Sequence, residues 1–279
     1  MPIGIYRMDQ AQHIRIILSQ GRIGDRTVGA IPGAAALAGV LARRYGLTLQ
    51  PVGEAAPART DNWDAALHEA EATLRRLAEA VADRLRDGRR ALVVANTCSA
   101  SLATLPAAAG LIPDVAVLWI DAHGDYNTPA TTASGYLGGM ALAGASGLWD
   151  SGHGTGIDPA RTLLVGARDI DPPEAALIEA AGVRVISPAA TEARTIADWI
   201  GKRPVWIHID WDVMEPGLIP AAYAVPGGLR PEQLASVLKA IPAAQVIGVE
   251  LAELELPDDP ARADRALGAI LDIVAPLFA

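Results

Sequence analysis

A chain of 279 residues, 51% of them apolar, can bury a large core and is neither disordered nor fibrous. Its net charge of −9 argues against nucleic acid or an anionic membrane as partner and suits a small or cationic substrate. One cysteine excludes an internal disulfide framework and fits a reducing cytoplasm, and no apolar run reaches the length of a membrane span.

The opening, MPIGIYRMDQAQHIRI, lacks the continuous apolar core and small-residue cleavage site of a signal peptide. From there short β-branched runs alternate with helical patterns. Strands are expected at 14–18, 48–52, 91–95, 115–120, 162–166, 183–187, 204–209 and 245–250. Most are apolar without alternation, as in parallel strands covered by helices on both faces. Helices are expected near 30–44, 62–87, 101–109, 135–146, 172–181, 192–201, 230–239 and 258–277. The helix at 62–87 is the clearest, with Leu67, Leu74, Leu77, Val81 and Leu85 on one stripe. Repeated strand–helix–strand units give a doubly wound α/β sheet, and no linker or repeat divides the chain into more than one domain.

Ligands of such sheets bind beyond the carboxyl ends of the strands. Two motifs stand there. VLWIDAHGDYNTP (117–129) puts Asp121, His123 and Asp125 directly after a buried strand, at a spacing that turns all three to one side of an extended segment. IHIDWDVMEP (207–216) adds Asp210 and Asp212, with His208 placed by alternation to face the same way as a supporting partner. Alone, the first motif reads as turn capping; its recurrence after a second strand favours a divalent-cation site. Four converging carboxylates would repel one another without a countercharge, which two metal ions would supply. His13, His68 and His153 carry ordinary surface or loop readings.

The D-A-H-x-D-x-N-T-P run and the later D-x-D resemble the signatures of the ureohydrolase family, which includes arginase, agmatinase and formiminoglutamase. The resemblance runs from SQGRIGDR, near residue 19, to GVELAEL, near residue 254. It implies a three-layer α/β sandwich around eight parallel strands. It also implies a centre of two Mn²⁺ held by Asp121, His123, Asp125, Asp210 and Asp212, whose bridging hydroxide attacks a guanidino carbon. Asp125 would also handle the nucleophile's proton, and Glu253 would receive the guanidinium group. Asn127 and Ser134 match residues around an α-carboxylate. Asp169, Asp171 and Glu174 match a loop in which Asp171 takes an α-amino group, which points to an arginine-like substrate. Read without the family, Glu253 is a solvated charge at a strand end, and Asp171 and Glu174 cap a helix. Family members often form homo-oligomers.

Three positions depart from the arginase pattern. Cys98, in ANTCSASL (95–102), stands where the family has a histidine ligand, and reads either as a soft metal donor or as a small buried residue. Gly138, in SGYLGGM (134–140), stands where arginases carry a histidine associated with proton transfer. Glu215 replaces an aspartate. With GLWDSGHG (147–154), these segments resemble the subgroup that hydrolyses Nω-hydroxy-L-arginine to hydroxyurea and L-ornithine in antibiotic biosynthesis. Arginase-type cleavage of another guanidino acid, or a metal-depleted binding protein, remain the alternatives at this level.

Overall fold

The structure is a computed structural model and describes residues 15–279. His13 and the first residue of the 14–18 strand lie outside that range. Eight strands are present among the described residues: β1 (Arg15–Ser19), β2 (Thr48–Val52), β3 (Ala91–Val94), β4 (Ala116–Ile120), β5 (Thr162–Val165), β6 (Arg184–Ile186), β7 (Val205–Asp210) and β8 (Val246–Ala252). They form one sheet in the order β2-β1-β3-β8-β7-β4-β5-β6, and every pairing is parallel. Burial follows the order. β3, β4, β5, β7 and β8 are buried at every residue, while the edge strands β2 and β6 are partly exposed. Unbroken apolar runs are what strands covered on both faces require.

The covering helices are α1 (Ala30–Tyr45), α2 (Trp63–Arg86), α3 (Ser101–Leu111), α4 (Ala141–Ala145), α5 (Pro172–Ala181), α6 (Ala193–Ile200), α7 (Pro231–Ala240) and α8 (Pro260–Val274). One core lies between the sheet and α2–α5, where Leu74, Leu77, Leu102 and Leu142 meet Val93, Val117, Trp119 and Trp206. A second lies on the opposite face, where Leu37, Ile196, Leu234 and Ile270 meet Leu92, Leu118, Ile207 and Ile209. This is the expected three-layer sandwich. The stripe on α2 buries Leu74, Leu77, Val81 and Leu85 fully, with Leu67 at its margin. None of the helices in the described residues is long and apolar enough to cross a membrane.

One expected element is corrected. The segment 135–146 is not a single helix but a 3-10 turn at Gly138–Met140 followed by the short α4. Its backbone is engaged with the loop after β4: Asn127 N–H donates to the Gly139 carbonyl at 3.2 Å, and Leu142 and Ala143 N–H, in the first turn of α4, donate to the Asp125 carbonyl at 3.0 and 3.1 Å. Those bonds tie the segment to the loop after β4 at the expense of helical ones. β7 and β8 also run further than expected. Asp210 is the last residue of β7, and Glu253 follows β8 immediately.

Candidate active site

The loops at the carboxyl ends of β3, β4, β5, β7 and β8 enclose a cavity of about 320 Å³. Its walls include Cys98, His123, Asp125, Asn127, Ser134, Asp169, Asp171, Glu174, Asp210, Asp212 and Glu253. Asp121 lies beneath them, 1% exposed. All the expected site residues therefore meet at one place. His68 and His153 border a separate surface depression beside α2.

The two acidic motifs are joined directly. Asp212 accepts from Ala122 N at 3.0 Å, and the His123 Nδ1 approaches its carboxylate at 2.9 Å. Asp121 accepts from Trp119 Nε1 at 2.9 Å and from His123 N at 2.7 Å. Asp210 caps the turn after β7, accepting from Asp212 N at 2.8 Å. The convergence of Asp121, His123 and Asp125 does not arise from strand alternation, which is a correction. The chain turns sharply after β4, and Asp125 takes a left-handed backbone with φ of 48°. Glu253 (φ 62°) and Tyr223 (φ 59°), both on the cavity wall, share that conformation, and among the described non-glycine residues only these three do. Left-handed backbone at side chains that carry a Cβ persists where the surroundings enforce it, and it concentrates at functional sites.

Burial dominates the electrostatics. It pushes Asp125 and Asp210 well above the ordinary carboxylate range, with neighbouring carboxylates adding to the effect. It takes Asp212 to about 6 and Glu253 to about 8. For His123 burial acts the other way, but Asp121 and Asp212 outweigh it and push the imidazole up to about 12. Asp121 likewise overcomes its burial through His123 and is lowered. Without metal, then, a charged imidazolium and retained protons neutralise the cluster. Among the described residues three groupings have ligand atoms close enough for one ion: Asp121–His123–Asp212, Cys98–Asp210–Glu253 and Cys98–Asp121–His208. Oxygen and imidazole donors suit a cation of intermediate hardness, and the thiol softens one end of the site.

Cys98 is 2% exposed. Its Sγ lies 3.2 Å from Asp210 Oδ2 and 3.3 Å from His208 Nε2. His208 does face the cluster, as alternation predicts. Its other ring nitrogen approaches Glu250 Oε1 at 3.2 Å, while Thr104 donates to Glu250 Oε2 at 2.6 Å. The ring of Trp119 stacks on the imidazole, with centroids 3.7 Å apart. Glu250 and Trp119 were not singled out in the sequence, since each reads as part of an ordinary buried strand.

The remaining candidates divide. Glu253 is 5% exposed, which removes the solvated-charge reading. Asp171 caps α5 by accepting from Glu174 N at 3.0 Å and also accepts from Asn127 Nδ2 at 3.1 Å, so it does more than cap. Glu174 accepts from Tyr126 N at 2.8 Å, and burial pushes it to about 7. Asp169 is largely exposed at the rim, 3.7 Å from His123 Nε2. Ser134 Oγ accepts from Tyr136 N at 3.1 Å. Glu215 points away and anchors the loop after the 3-10 turn by accepting from Gly227 and Gly228 N–H at 2.8 and 2.7 Å. Arg26, Tyr136 and Tyr223 also line the cavity and were missed.

A model of the arginase family matches residues 26–275. The chain belongs to the arginase family. This arginase-family chain is 54% identical over 265 residues, 95% of its length, to N(omega)-hydroxy-L-arginine amidinohydrolase of Streptomyces lavendulae, of which the match covers 97%. It is 32% identical to arginase-1 of Oryctolagus cuniculus over 55% of its own length and 54% of that enzyme's. The arginase of Entamoeba histolytica superposes with a TM-score of 0.84 at 20% identity, covering 98% of this chain and all of that one. That last likeness concerns the fold.

Proposed function

We propose that this chain hydrolyses Nω-hydroxy-L-arginine to hydroxyurea and L-ornithine at a centre of two Mn²⁺ ions. The observation that carries the reading is the 54% identity, over nearly the full length of both chains, to an Nω-hydroxy-L-arginine amidinohydrolase. Cys98 and Gly138 support it, because both depart from the arginase pattern as that subgroup does.

The donor set fits the metals. Asp121, His123, Asp125, Asp210, Asp212 and Cys98 would hold them, and two divalent cations would take the place of the protons and imidazolium charge that neutralise the cluster. Bound there, such ions supply countercharge and acidify water to hydroxide near neutral pH. Asp125 accepts a proton from the attacking water and returns it to Nδ as the C–Nδ bond breaks, giving hydroxyurea and L-ornithine. Glu253 receives the guanidine group and turns its carbon toward the metals. Asn127, Ser134, Asp169, Asp171 and Glu174 bind the amino-acid end, with Asp171 taking the α-amino group. The cavity, about 320 Å³, suits a small guanidino amino acid. The reading takes the chain as one domain working in the cytoplasm on a small molecule.

Two assays together test this: metal content after purification with manganese, and release of hydroxyurea and urea by wild type and by Cys98→His. Two metals per chain and hydroxyurea release from hydroxyarginine, with plain arginine a poor substrate, are expected of wild type. A preference for arginine, or turnover only in Cys98→His, overturns the reading.

A further inference from the structure

Glu253 leaves β8 with φ of 62°, so the strand does not by itself set the direction of its carboxylate. Two donors do, and both use the same oxygen: Cys98 N–H at 3.0 Å and the Tyr136 hydroxyl at 2.8 Å reach Oε1. Oε2 keeps no protein partner among the described residues. Tyr136 reaches Glu253 because position 138 is glycine. A Cβ there would stand 2.6 Å from Tyr136 Cε1 and 3.1 Å from its hydroxyl oxygen. The ring is framed on its other sides by the Arg26 guanidinium, 5.1 Å from the ring centroid, and by the Tyr223 ring at 5.5 Å. Arg26 is itself held by the Ser134 carbonyl at 3.1 Å. The space that a side chain at 138 would occupy is filled by a phenol supplied from 136.

We propose that Tyr136 is a positioning residue whose hydroxyl fixes the Glu253 carboxylate for the guanidine group of the substrate, and that Gly138 is the gap it requires. The proposal rests on the functional reading above. At neutral pH a phenol donates a hydrogen bond but does not cycle a proton as an imidazole does. Position 138 thus serves substrate placement here, and proton delivery to the leaving amine is not built in beside Glu253. Such a site suits a hydroxyguanidine, which is less basic than a guanidine; the departing Nδ amine of ornithine takes the proton that Asp125 receives from the attacking water. Oε2 is left to accept from the substrate while Oε1 is held.

Tyr136→Phe removes the hydroxyl and keeps the ring. The KM for hydroxyarginine is expected to rise about tenfold, as for loss of a hydrogen bond to a charged group. The Kd for guanidinium ion, measured by calorimetry on the manganese-loaded enzyme, should rise by a similar factor, with metal content and Tm at wild-type values. Gly138→Ala should weaken binding alike, but add little in the Tyr136→Phe background. If wild type turns over and Tyr136→Phe leaves both KM and the guanidinium Kd unchanged, the proposal falls and the functional reading stands. A fall in metal content or Tm with Tyr136→Phe also overturns it, since the residue would then be structural. If wild type turns over no guanidino compound, the functional reading fails, and the guanidinium Kd alone decides the role of Tyr136.

Discussion

A carboxylate at 5% exposure with one oxygen already engaged is costly to ionise alone, and burial accordingly pushes Glu253 up to about 8. In the proposed role, a cation brought to its free oxygen would repay that cost, turning an unfavourable side chain into a selective one. Glu253→Gln keeps the shape and loses the charge. Its kcat/KM for hydroxyarginine should fall on the order of 100-fold, with bound manganese, read by atomic absorption, unchanged. A variant that loses metal instead would make Glu253 part of the metal centre. The acidic cluster was legible in the sequence because each motif follows an apolar strand, where the sheet rule places ligands. Tyr136 was not. Its meaning depends on a partner 117 positions away and on the clearance above Gly138, neither of which leaves a periodic trace. Asp125 was found for the wrong reason, since a left-handed turn and not alternation brings it inward.

At the scale of elements, α1 sits hard against the turn that carries Glu253. A Cβ at Gly33 would come within 1.7 Å of the Leu254 carbonyl oxygen, and Leu256 N–H donates to the Gly29 carbonyl at 3.1 Å. Gly33→Ala must push the helix or the turn. Denaturant titration should show a loss of about 1–3 kcal/mol, typical of overpacking, together with reduced turnover. Unchanged stability would mean that α1 shifts freely and does not brace the site. Strands and long helices were readable because burial on both faces and helical periodicity mark them directly. The segment 135–146 misled because its apolar, glycine-rich composition permits a helix, while bonds from Asn127, Leu142 and Ala143 to the opposing segment decide otherwise.

For the whole molecule, the site makes stability depend on pH in a sense that metal reverses. Burial raises Asp212 from 3.8 to about 6, Glu174 from 4.5 to about 7 and Glu253 from 4.5 to about 8. The metal-free folded state therefore holds more protons than the unfolded chain, and its stability is fully present below the ordinary carboxylate values. It is lost as pH rises through the raised ones, between about pH 4.5 and 8. Cations bind the deprotonated site, so their stabilisation grows over the same window. Thermal melts should show the gap between manganese-loaded and chelator-treated protein widening from pH 5 to pH 8. A gap independent of pH would place the metal elsewhere.

β3 and β4 follow one another in the chain but not in the sheet, where β8 and β7 lie between them. The last strands to be synthesised therefore fill the middle. Without β7 and β8 the strands divide into two half-sheets, β1–β3 and β4–β6, whose facing edges β3 and β4 are fully buried strands with no partner on that side. Both edges stay exposed to aggregation or chaperone capture until β7 and β8 enter between them. Asp210 arrives on β7 and Glu253 at the end of β8, so the acidic cluster begun by Asp121, His123 and Asp125 after β4 is complete only once the sheet has closed.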